Sequence, residues 1–69
     1  MSAPEITVNG EARALPDGAT VASLLAELGL AERKVAIERN LAIVPRSLFA
    51  QTPLAPGDAV EVVTFVGGG

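Results

Sequence analysis

The sequence contains no cysteine and no histidine, and these absences remove most catalytic and metal-binding chemistry. Without thiols there is no disulfide framework to staple a small fold, no thiolate nucleophile and no cysteine-ligated metal. Without imidazole, the commonest acid–base catalyst near neutral pH and the commonest metal ligand are also missing. A chain of 69 residues has room for one domain and none for a separate catalytic one. Ser23 and Ser47 have no base near them in sequence, and Asp17, Asp58 and Glu61 fall in turns or on a strand face. The chain is therefore expected to be no enzyme itself, with no metal and no bound cofactor.

Concentrated positive charge is scarce too. Five Lys and Arg stand against eight Asp and Glu, a net charge of −3, and Arg13, Arg33, Lys34, Arg39 and Arg46 are scattered. Nucleic acid is a poor fit to such a surface. The opening residues "MSAPEITVNG" lack the basic start and apolar run of a signal peptide, and no apolar stretch approaches membrane-spanning length. With no cysteine, the expected setting is the reducing cytoplasm, without a membrane partner.

What remains is rich in apolar residues: 49% hydrophobic against 19% charged, enough for a folded core. "EITVNGEARAL" reads as a hairpin turning at Asn9-Gly10. A three-residue loop with Gly10 in a left-handed bulge would set Ile6 and Val8 beside Ala12 and Ala14 inside. Glu5, Thr7, Glu11 and Arg13 would then face water, with Glu5 and Arg13 able to pair. "PDGATVASLLAELGL" is a helix: Thr20 caps it, Val21, Leu24, Leu25 and Leu28 form one stripe, and Gly29 takes the left-handed stop. Leu30 is then expected to fold back on Leu25.

"KVAIERNLAIVP" predicts a third strand through Val35 and Ile37, a turn near Asn40 and a short edge piece ended by Pro45. A helical turn at Ser47 to Ala50 follows, with Leu48, Phe49 and Leu54 expected in the core and Pro56-Gly57-Asp58 as a turn. "AVEVVTFV" is the last strand, and its β-branched density predicts a central position covered on both faces for part of its length. Two hairpin-like ends flank one helix, which supplies the crossover that parallel first and last strands need. The expected fold is α+β, a ubiquitin-like β-grasp, with residues 1–66 as the domain and 67–69 as a flexible glycine tail.

The chain closes on "TFVGGG". Three glycines offer no side chain to pack, so they cannot hold a fold together. They are no phosphate-binding loop, since no Lys-Ser/Thr and no helix follow. The serine of "RSL" at Arg46 to Leu48 lacks the preceding acidic residue of phosphopantetheine carriers. The distinctive group is the terminal carboxylate, which activation to an acyl adenylate by another enzyme would make reactive. A leader without side chains suits its presentation inside a partner's nucleotide site.

The segments "NGEARAL", "GATVASLL", "VAIERN", "IVPRS" and "LAPGDAVEVVTFVGGG" together resemble the ThiS family, the sulfur carriers of thiamine biosynthesis, over nearly the whole chain. The resemblance implies that Gly68 and Gly69 are the reactive pair. The Gly69 carboxylate would be adenylated by an E1-like enzyme of ThiF type that consumes ATP. It would then be converted to a thiocarboxylate by a sulfur donor such as a cysteine desulfurase persulfide, and would feed a ThiG-type thiazole synthase. Gly67 adds a third glycine to the inserting arm. The small subunit of molybdopterin synthase is similar in fold and tail but carries prolines before its glycines, which are absent here. A β-grasp binding module with an incidental tail is the remaining alternative. Phe65 and Val66 belong either to the core or to an apolar docking patch beside the tail, and Leu41 and Ile43 either extend that patch or cover the core.

Overall fold

The computed structural model describes residues 3–65. Val66 and Gly67, Gly68 and Gly69, singled out above, lie outside them. Among the described residues, strands β1 (Glu5–Val8) and β2 (Glu11–Ala14) precede helix α1 (Val21–Glu27), followed by β3 (Val35–Arg39), β4 (Ala42–Val44), a 3₁₀ helix (Arg46–Gln51) and β5 (Ala59–Thr64). One five-stranded sheet has the order β2-β1-β5-β3-β4, with β1 and β5 parallel at its centre and the other pairs antiparallel. This is the ubiquitin-like β-grasp arrangement.

The helix begins where Thr20 and Ser23 satisfy each other. The Ser23 N–H donates to Thr20 Oγ1 at 3.1 Å and the Thr20 N–H to Ser23 Oγ at 2.8 Å, which removes two of the unpaired donors of a helix start. It stops because Gly29 takes φ +75°, and the Leu30 N–H returns to the Leu25 carbonyl at 2.8 Å. Val21, Leu24 and Leu25 are buried against Ile6, Val8, Val35, Ile37, Val44 and Val60, while Leu28 packs at the margin. Phe49 and Leu54 close the core. Leu54 also donates its N–H to the Ala19 carbonyl, tying the loop to the helix start.

Three local expectations need correction. The β1–β2 hairpin has a two-residue loop: Val8 faces Glu11 and Ile6 faces Arg13. Asn9 and Gly10 both take positive φ, 52° and 86°, as a type I′ turn requires, and this turn matches the twist of paired strands. Ala12 and Ala14 are therefore exposed. Arg13 lies on the helix side, half-buried, with Nη2 3.6 Å from Glu27 Oε1, so it pairs with the helix and not with Glu5. An edge strand tolerates this because the arginine stem covers apolar surface while the head group stays wet.

Leu48 is exposed, because the 3₁₀ helix turns only Phe49 inward. β5 is central, but only one of its faces is covered: Val60 is buried and Val62 half-buried, while Glu61 and Val63 are exposed. One helix can shield only one face of the sheet. No helix among the described residues is long and apolar enough to cross a membrane.

Candidate functional site

The strand that leads to the glycines is anchored at both ends. At its start, Asp58 is buried and accepts three hydrogen bonds: from Arg39 Nε at 2.9 Å, the Ala55 N–H at 2.9 Å and Asn40 Nδ2 at 3.0 Å. Asn40 Oδ1 in turn accepts from the Ala59 N–H at 2.9 Å. Burial by itself pushes the Asp58 carboxyl up. The hydrogen bonds from Arg39, Ala55 and Asn40, with the attraction of the Arg39 charge, outweigh it and hold the carboxyl below its ordinary value of 3.8. The arrangement locks the β3–β4 turn to the first residue of β5 and so sets the register of the tail-bearing strand.

Midway, Asn9 grips the Val62 backbone from the other side, accepting from its N–H at 2.7 Å and donating to its carbonyl at 3.1 Å. At the far end Thr64 pairs with Val35, and the Phe65 N–H donates to the Lys34 carbonyl at 3.1 Å. The strand ladder thus persists to the last described residue.

Phe65 is 54% exposed, which resolves its two readings in favour of the surface. Val63, two residues earlier on the same face, is 56% exposed. Sequence reading missed Val63, because a run of β-branched residues looks alike whether one face or two are covered. Ile43 and Leu41 are exposed by 75% and 89%, so neither covers the core.

The antiparallel register places Ile43 opposite Glu38, and Glu38 opposite Glu61. Ile43 therefore shares the outer sheet face with Val63 and Phe65. Leu41 sits in the turn beyond Arg39, which lies opposite Val60, at the end of the sheet away from Phe65. The four candidate docking residues do not all gather beside the tail; Val66 is outside the described residues.

On the helix side, a cleft of about 320 Å³ opens between the edge of β2 and the end of the helix, with Arg13, Leu28, Leu30, Val62 and Thr64 in its lining. Its charged lining residues are Glu11 and Arg13. Among the described residues no three acidic groups gather closely enough to hold a metal ion. Among the described residues, the outer sheet face sets exposed Ile43, Val63 and Phe65 on the same side as Glu38 and Glu61, with Lys34 at the Phe65 end.

The ThiS family model matches residues 6–69. The chain is 38% identical over 53 residues to the sulfur carrier protein ThiS of Bacillus subtilis, covering 77% of this chain and 80% of that one. It is 51% identical over 65 residues to a thiazole synthase of Paramagnetospirillum magneticum, covering 94% of this chain. The matched part is only 20% of that relative's length. The fold superposes on the crystal structure of the thiamine biosynthesis protein ThiS from Geobacter metallireducens with a TM-score of 0.75 and 39% identity, covering 94% of this chain and 99% of that one.

Proposed function

The chain belongs to the ThiS family, and from that premise we propose that it is a sulfur carrier for formation of the thiazole ring of thiamine, working through the carboxylate of Gly69. This reading rests on the sequence "GGG", which begins three residues beyond a strand held in register at both ends, in a chain with no other chemically distinctive group. A carboxylate resists nucleophiles because it is charged and its oxygen leaves poorly. An E1-like partner would let the carboxylate attack the α-phosphorus of ATP, releasing pyrophosphate and leaving an acyl adenylate. The terminal sulfur of a persulfide would then displace AMP, and a thiol would cleave the resulting S–S bond to leave the thiocarboxylate.

In this scheme the chain contributes no catalytic side chain. It contributes a leader without side chains, Gly67 and Gly68, that fits a narrow channel, and a docking face that includes Phe65, Val63 and Ile43. ATP is consumed by the partner and no cofactor is held by the carrier. A thiazole synthase is the acceptor of the sulfur. The relative from Paramagnetospirillum magneticum supports this, since a thiazole synthase there carries a segment similar to this chain.

Deleting the gene in its source cell tests the assignment. Growth should then require thiamine or its thiazole precursor. Loss of molybdoenzyme activity in place of that requirement would assign the chain to molybdopterin synthesis, and no nutritional defect of either kind would leave a binding module.

A further inference from the structure

The outer sheet face carries an arrangement that its own strands do not explain. Glu38 of β3 lies directly opposite Glu61 of β5, and directly opposed residues of an antiparallel pair point to the same side, their β-carbons about 5 Å apart. Like charges so placed weaken a sheet. Neither carboxylate takes part in an ion pair among the described residues, where the two pairs formed are Arg13–Glu27 and Arg39–Asp58. Arg39 follows Glu38 in sequence but is turned to the opposite side by strand alternation. Lys34 shares the face of Glu38 but lies four residues away, about 13 Å along the strand. Exposed apolar groups flank the carboxylates: Ile43 opposite Glu38, and Val63 two residues beyond Glu61.

Resting on the carrier reading above, in which this face docks on the adenylating enzyme, we propose that Glu38 and Glu61 together receive one arginine of that enzyme. A guanidinium is planar and presents donors on two edges, so it can serve two carboxylates at once where a lysine ammonium acts as a point charge. Ile43 and Val63 on either side exclude water around the charges on docking, which strengthens their attraction. In sequence, the same strand precedes the reactive end. Eight residues separate Glu61 from Gly69, so the arginine must lie within about 29 Å of the site of adenylation. The opposed carboxylates are thus a stability cost retained for partner choice.

The test compares the full-length chain with E38Q, E61Q and the double variant, and with E32Q, in the loop after the helix, as a charge-matched control for the single variants. Each is assayed as substrate for the adenylating enzyme by ATP–pyrophosphate exchange at low and high salt. The double variant should raise KM about tenfold or more with kcat retained, and should flatten its salt dependence. Its Tm should rise by about 1–8 °C as the repulsion is removed, whereas E32Q should match the wild type in KM. A KM within twofold of wild type, an equal rise in E32Q, or a fall in Tm would overturn the proposal while leaving the carrier reading intact. Absence of exchange with the wild-type chain, using an enzyme active on its own carrier, would overturn both.

Discussion

Asp58→Ala removes the acceptor that Arg39, Asn40 and the Ala55 N–H share. Breaking a buried charged pair from one side costs about 3–5 kcal/mol, because the remaining charge is left uncompensated. The Arg39 side chain is 35% exposed, so water recovers part of that loss and about 2–4 kcal/mol is the expected cost. For a domain of this size that corresponds to a fall in Tm of roughly 8–30 °C, readable by far-UV circular dichroism. Asp58→Asn keeps the shape but not the charge and should lose less. The pH dependence has a definite sign. The carboxyl is held below its ordinary value in the folded state, so its stabilisation is complete well above 3.8 and is lost as pH falls through that value and below. Asp58→Asn should flatten this acid limb. A loss under about 1 kcal/mol for Asp58→Ala, or an unchanged acid limb for Asp58→Asn, would refute the assignment of Asp58 as the lock on β5.

Leu25 is buried beneath the helix, and Leu25→Ala should cost about 2–5 kcal/mol in chemical denaturation; a near-neutral effect would contradict the packing described. Leu41 holds φ +71° while almost fully exposed. Leu41→Gly should therefore be neutral or stabilising by up to about 1 kcal/mol, strain relief outweighing the added freedom of the unfolded chain. A lower Tm for Leu41→Gly would show that the side chain supports the fold. Deletion of Gly67 to Gly69 should leave Tm unchanged and abolish adenylation, and a large drop in Tm would mean that the glycines pack on their own domain.

The helix was legible because its signals are local: the Thr20 cap, the leucine spacing and Gly29 all lie within ten residues of sequence. The edge position of β4 was legible from Pro45, and the parallel pairing of β1 with β5 followed from the crossover. The hairpin register was not, because "EARA" in β2 has no strong apolar alternation, and covering by the Arg13 stem is decided by the helix beside it. The exposure of Val63 was hidden for a related reason: composition reports that a strand is apolar, not how many layers exist to cover it. The bond from Arg39 to Asp58 spans 19 residues, and nothing local to either side chain announces it. For the candidate site, the glycine run was readable as a motif, whereas the sequence left Ile43 between patch and core, and the opposition of Glu38 and Glu61 depends on a register only the folded sheet supplies.

In the proposed function, sulfur is carried on the Gly69 carboxylate. Its most direct test is the intact mass of the chain after incubation with ATP, the adenylating enzyme and a persulfide donor, with fragmentation to locate any change. The mass should rise by the difference of one oxygen replaced by sulfur, confined to Gly69 and absent when that carboxylate is blocked as an amide. An unchanged mass in the presence of an enzyme active on its own carrier, or a modification placed elsewhere in the chain, would contradict it.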